Sequence, residues 1–222
     1  MALIVYGSPI SPFVRKVRVV LAEKGVEYTL DPVNPFAPPP DYVEISPLKR
    51  IPALRDTDLP EPNTLADSSV ISDYLERKFP TPALYPTDNY LRGRALWFEE
   101  YADSIMAQNI GLGLFFERIV KKFMRQECNE AVVTTTLTEK LPPLFGYLEK
   151  EIGSRDFLVG SAFSIADVAI GTMFVNFGHA GETIDTACWP NLARYVAAIH
   201  ARPSFKSAVA DEHPIIKAAR AA

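Results

Sequence analysis

Ser8-Pro9-Ile10-Ser11-Pro12-Phe13-Val14-Arg15 occupies the junction that decides how this chain folds. Ahead of it, Leu3-Ile4-Val5-Tyr6 is a short apolar run with the length of a buried strand. Behind it, Val14, Val17, Val20 and Leu21 recur at helical spacing, which predicts a helix from Val14 to Lys24. A serine hydroxyl therefore stands where a strand gives way to a helix. Free N–H groups and the positive end of the helix dipole meet there, a setting that favours an anion. Pro12 suits the first helical turn, where a missing N–H costs nothing. Ser11 serves equally well as an ordinary helix N-cap, and Ser8 competes for either role.

Beyond this junction, Gly25 ends the helix and Val26-Glu27-Tyr28-Thr29-Leu30 alternates like a second strand. Residues 31–40 hold five prolines and exclude regular structure; 41–50 reads as a polar connection with one short helical turn. Ile51 to Arg55 and Asn63 to Ala66 are two more short strands, and from Asp67 the stripe Val70, Ile71, Tyr74, Leu75 and Phe79 is helical. The order is strand, helix, strand, then strand, strand, helix (βαβ-ββα), an α/β domain over residues 1–80. A proline-stiffened linker follows at 81–88, with Asp88 as the cap of the next helix. Residues 89–222 are helical in pattern, so the fold class is α/β plus all-α. Within them 89–125 is one long helix or a broken pair, weakest at Gly111 and Gly113, and 130–152 is a helix interrupted at Pro142-Pro143. Ser164-Ile165-Ala166-Asp167 is a capping-box-like start ahead of a buried apolar run, Val168 to Phe177. Two shorter helices are expected near 190–201 and 204–211.

With 222 residues and 48% hydrophobic content, the chain has the make-up of a soluble globular protein. A net charge of −4 with no basic stripe argues against nucleic acid. No apolar run approaches the ~20 residues of a membrane span. The start, Met-Ala-Leu-Ile-Val-Tyr-Gly, shows no basic segment leading into a secretory core, so a cytoplasmic setting is expected. Cys128 and Cys188 lie far apart, and His179, His200 and His213 have no ligand spacing, so no metal is expected. His179, between Gly178 and Gly181, reads as a loop residue.

Four features, Ser11-Pro12-Phe13 with Arg15, Ile51-Pro52, Asp67-Ser68, and Ser164-x-x-Asp167, occur in an order and spacing that resembles the soluble glutathione transferase superfamily over nearly the whole chain. The resemblance implies a thioredoxin-like amino-terminal domain followed by an all-helical domain. Ser-Pro-Phe after the first strand looks like the serine-type tau class, where the omega class has Cys-Pro-Phe. A serine cannot exchange disulfides with glutathione, so the resemblance implies that Ser11 donates a hydrogen bond to the thiolate of bound glutathione. A fall of ~2 pKa units from a free thiol's ~8.5 corresponds to ~2.7 kcal/mol of thiolate stabilisation.

The same resemblance implies that the Ile51 backbone, ahead of a cis-proline, pairs with the extended tripeptide. Arg50, or Lys49 in its place, meets the glycine carboxylate, Asp67 and Ser68 hold the γ-glutamyl end, and Phe13 borders glutathione. Ile10, Tyr101, Ile105 and Gln108 line the pocket for an electrophilic second substrate. From the residues alone, Ile51-Pro52 is also an ordinary edge-strand start and Arg50 a surface charge. Asp67-Ser68 is also a plain helix cap, and Tyr101 and Ile105 are also core. Trp97 and Phe98 read as core, and Arg15 as a solvated charge. The expected protein is a glutathione transferase using glutathione as co-substrate and working as a homodimer. Isomerisation, dehalogenation or peroxide reduction on the same scaffold, and a non-catalytic interaction protein, are the competing readings.

Overall fold

In the computed structural model, which describes residues 2–221, the chain forms two compact units, Met1–Leu84 and Tyr85–Ala222. The first is built on the buried strand β1 (Leu3–Tyr6), whose Leu3 and Val5 are withdrawn from solvent. It continues through α1 (Pro12–Glu23), β2 (Thr29–Asp31), α2 (Tyr42–Ile45), β3 (Ala53–Asp56), β4 (Thr64–Ala66) and α3 (Ser68–Lys78). The sheet order is β2-β1-β3-β4, with β2 parallel to β1 and the other pairs antiparallel. This is the thioredoxin-like arrangement.

β2 begins three residues later than the alternation predicts, for a local reason. Gly25, at φ +64°, ends α1 in a left-handed turn in which its N–H reaches Ala22 and the Val26 N–H reaches Leu21. Val26 is thus spent on closing the helix and is not free to open a strand. α1 is buried well beyond its apolar stripe. Arg15 is 0% exposed, not solvated, with Nη2 3.4 Å from the Ile10 carbonyl. Arg18 donates to the Tyr28 hydroxyl at 2.8 Å. Lys24 pairs with Glu76 at 2.7 Å and donates to the carbonyls of Phe79 and Pro82, while Glu76 accepts from the Leu84 N–H. One buried ion pair therefore ties down the proline-rich segment. On α3, Ile71 and Leu75 face inward but Val70 is half exposed.

The second unit is helical. α4 (Asn89–Tyr101), capped by the Asp88 carboxylate on the Leu91 N–H, runs unbroken into Ala102–Val120 and ends as α5 (Lys121–Phe123). Over Ala102–Val120 the winding widens toward i→i+5 bonding, as in the Lys121 N–H to Phe116 carbonyl contact. Gly111 and Gly113 do not break it. Gly113 is buried, and a Cβ there would lie 2.6 Å from the Thr136 hydroxyl, so it permits close approach of two helical segments. α6 (Glu130–Thr135) passes through a second widened stretch, Thr136–Lys140, into α7 (Leu141–Ile152). Pro142 and Pro143 lie inside this continuous helical run, directly after its widened stretch, so the winding is altered next to the prolines and the helix is not broken by them.

α8 (Ile165–His179) is buried on every side except at Gly178. α9 (Pro190–His200) and α10 (Pro203–Ala210) follow as expected, and α11 (His213–Ala221) is an addition. His179 is the last residue of α8, not a loop residue; it is buried, 2.7 Å from Glu212. Among the described residues no helix is long and apolar enough to cross a membrane.

Candidate active site

The register of the sheet decides which loops meet. Tyr6 pairs with Ala53, and Ala53 with Ala66. The end of β1, the start of β3 and the end of β4 therefore lie along one edge of the first unit. That brings Ser11, Ile51-Pro52 and Asp67-Ser68 to the same edge, with the N-termini of α1 and α3. Gly7, at φ +150°, makes the approach possible: a Cβ there would lie 2.5 Å from Val14 and 3.2 Å from Ile51.

Ser11 is the N-cap of α1, with extended backbone and Pro12 behind it. Its hydroxyl accepts from the Val14 N–H at 3.5 Å, a long contact that leaves its own proton to donate elsewhere. Ser11 is half-buried, as are its neighbours Ile10 and Phe13. Capping and donation to an anion are compatible here, because the first uses a lone pair and the second the proton.

The Ile51–Pro52 bond is cis, and the Asp67 N–H reaches the Pro52 carbonyl at 3.3 Å. The backbone just before it is held by two buried hydroxyls that the sequence pattern does not single out. Tyr42 Oη donates to the Arg50 carbonyl at 3.0 Å and Ser46 Oγ at 2.9 Å, while the Arg50 N–H returns to Ser46 Oγ at 3.2 Å. Burial pushes the Tyr42 phenol up to about 12, so it remains a donor. The available signal was spacing: Tyr42 and Ser46 are four residues apart on one helical turn and share a face. The side chains of Arg50 and Lys49 are exposed.

Asp67 caps α3, its Oδ1 accepting from the N–H groups of Ser69 at 2.8 Å and Val70 at 3.3 Å. It does so at φ +85°, a conformation rare for a residue with a side chain. Ser68 is buried. Lys16, buried on α1, donates to the Ser69 hydroxyl at 3.0 Å. A helix N-terminus with an acidic acceptor and a buried hydroxyl can hold an α-amino acid group, which carries both charges on one carbon.

The other residues of the expected second-substrate pocket belong to the second unit. Tyr101 is half-buried, its hydroxyl 3.3 Å from the Leu144 carbonyl and its ring 5.2 Å from Tyr147 and 6.3 Å from Trp97. Burial, reinforced by Tyr147, raises its pKa to about 12, which rules it out as a general base near neutrality. Ile105 is half-buried and Gln108 exposed. Phe98 is core as expected, but Trp97 is 49% exposed and donates to Tyr147. Burial and Glu130 raise the Cys128 thiol, and Asp185 raises that of Cys188, so neither is an activated thiolate. Among the described residues no cluster of His, Cys, Asp or Glu could hold a metal ion.

Residues 5–83 match the model of the glutathione S-transferase N-terminal domain and residues 115–212 that of the C-terminal domain. A glutathione S-transferase of Triticum aestivum is 31% identical, covering 95% of this chain and 94% of its own. A stringent starvation protein A homolog of Coxiella burnetii is 26% identical, covering 93% and 90%. The solved glutathione S-transferase of Methylobacillus flagellatus, with GSH bound, is 30% identical with a TM-score of 0.76, covering 93% and 98%. Sheet topology, helical second unit and full-length similarity agree, and the chain belongs to the glutathione S-transferase family.

Proposed function

We propose that this chain is a serine-type, tau-like glutathione transferase that activates the glutathione thiolate for attack on an electrophilic, largely apolar second substrate. The observation that carries the reading is the convergence of Ser11, Ile51 and Asp67-Ser68 on one sheet edge beside two helix N-termini. In this reading Ser11 donates to the sulfur anion, and the Ile51 backbone pairs with the peptide, flanked by Phe13 and Arg50. Asp67 and Ser68 take the γ-glutamyl amino and carboxylate groups. Tyr101, Ile105 and Gln108 of the second unit belong to the electrophile's pocket. A relative solved with GSH bound supports glutathione as the co-substrate.

Ser11→Ala tests the assignment. It is expected to lower conjugation of a generic aryl halide ~10- to 100-fold at pH ~6.5, and to move the midpoint of the pH–rate profile toward the ~8.5 of a free thiol. Glutathione binding should persist. Turnover equal to the parent would remove Ser11 from the mechanism.

The reading includes a cytoplasmic, detoxifying homodimer. Its contact joins α3, with the exposed Asp73–Arg77 pair and Val70, to the long helix of the other copy, where Trp97 stands. Light scattering should give twice the chain's 24.6 kDa; the mass of one chain overturns it. The full-length likeness to a stringent starvation protein A homolog favours a second reading, a non-catalytic interaction protein on the same fold. Failure of the parent to bind immobilised glutathione would select it.

A further inference from the structure

Residues 47–50 are an exposed connection whose end is tied to two buried hydroxyls, Tyr42 at 2% exposure and Ser46 at 1%. The chain turns back over them. The Lys49 N–H reaches the Ser46 carbonyl at 2.8 Å, with Lys49 at φ +53°. Arg50 then returns both of its main-chain polar groups to the pair. Its N–H donates to Ser46 Oγ at 3.2 Å, and its carbonyl accepts from Ser46 Oγ at 2.9 Å and from Tyr42 Oη at 3.0 Å. Two donors on one carbonyl take up both of its lone pairs. Withdrawing a hydroxyl from water is costly unless it is bonded, and phenylalanine and alanine would serve packing alone at lower cost.

That carbonyl decides the direction of a neighbouring group. The Arg50 C=O and the Ile51 N–H belong to one trans peptide unit, which is planar, so the two point in opposite directions. A carbonyl drawn inward by Tyr42 and Ser46 therefore sends the Ile51 N–H the other way, out from the buried pair. The clamp is itself anchored to the sheet. The Tyr42 ring packs with Tyr6, Val33 and Ala53, and Tyr6 and Ala53 are the paired residues that end β1 and open β3 at the edge of the site. Its phenol keeps its proton near neutrality, because burial pushes it up to about 12 against the pull of the Ser46 hydroxyl.

We infer that Tyr42 and Ser46 are positioning residues for the thiol co-substrate: by fixing the plane of the Arg50–Ile51 peptide they aim the Ile51 N–H at a carbonyl of the bound peptide's backbone. This rests on the glutathione reading above and deepens it. The ligand class is thiols carried on an extended peptide backbone, and neither hydroxyl touches a reacting atom.

The test measures the Kd for glutathione by calorimetry on the full chain, together with kcat and the pH–rate midpoint at saturating glutathione. The parent is compared with Tyr42→Phe, Ser46→Ala and the double variant. Each single change is expected to weaken glutathione binding ~3- to 10-fold and the pair ~10-fold or more. kcat and the pH–rate midpoint should hold, because Ser11 is untouched. A purely structural role would lower the melting temperature and leave the affinity of the folded chain unchanged, so a double variant that binds within ~2-fold of the parent overturns the inference. A kcat that falls while Kd holds overturns it too. Should the double variant not fold, Tyr42→Phe, which keeps the ring and loses one oxygen, carries the same expectation and the same refutation. These outcomes leave glutathione binding by the parent intact; a parent that does not bind glutathione overturns the glutathione reading itself.

Discussion

Asp67 performs two tasks at one strained position. Its φ of +85° is stabilised by its N–H bond to Pro52, and its carboxylate caps α3. Asparagine keeps the capping oxygen and tolerates positive φ, so Asp67→Asn is expected to melt within a few degrees of the parent. Asp67→Ala loses the cap at an unfavourable φ and should cost ~1–2 kcal/mol in urea unfolding. If Asp67 also faces the ligand's amino group, both variants raise the KM for glutathione, the asparagine form without the stability loss. Equal KM values in parent and Asp67→Asn would reduce Asp67 to a cap. The Asp67-Ser68 pair is legible as a helix start because capping chemistry is local. The strain is not, because the Asp67 N–H is held by Pro52, a residue distant in sequence that lies just ahead of the neighbouring strand. For Tyr42 and Ser46 the sequence shows only that they share a face; their acceptor, a backbone carbonyl, carries no sequence signal.

At the scale of elements, the start of α8 shows what a short motif can announce. Ser164-x-x-Asp167 predicts reciprocal capping, and Asp167 Oδ2 does accept from the Ser164 N–H and hydroxyl. The sequence does not reveal that Oδ1 also accepts from the Leu158 N–H at 2.9 Å and the Tyr195 hydroxyl at 2.8 Å. One carboxylate thus joins the preceding loop, α8 and α9 inside the core. Burial pushes its pKa up while four donors pull against that shift. Asp167→Ala strands those donors and is expected to cost ~3–5 kcal/mol by chemical denaturation. Tyr195→Phe removes one donor and should cost ~1–2 kcal/mol. Comparable losses in the two variants would show that Asp167 does not organise this junction. Glycine and proline were ambiguous at this scale for a related reason. Gly113 marks a close helix approach, and Pro142 follows a widened stretch within a continuous helical run; only the packing partner or the preceding turn distinguishes these from breaks.

Across the molecule, three carboxylates tie the two units to acid in the same direction. Burial opposes ionisation of Asp56, but Lys78 and Tyr74 outweigh it and hold the group below its ordinary 3.8. In the second unit burial is likewise outweighed at Glu117 by Lys121 and the Asn129 N–H. At Glu149 the Leu192 N–H and Asn191 do the same, and both groups fall below 4.5. A depressed folded-state pKa means the unfolded chain binds protons first. The stabilisation is therefore complete above the unfolded values and is lost as pH falls through the folded ones. The melting temperature should be level near pH ~6–7 and fall progressively below pH ~4.5. Glu149 makes the sharpest case, because its carboxylate accepts from the first N–H groups of α9 and so stabilises a helix terminus with a full charge. Glu149→Gln is expected to lower the melting temperature near pH ~7 and to flatten the acid slope, since a neutral amide cannot titrate. A variant with the parent's slope would place the acid sensitivity elsewhere in the chain.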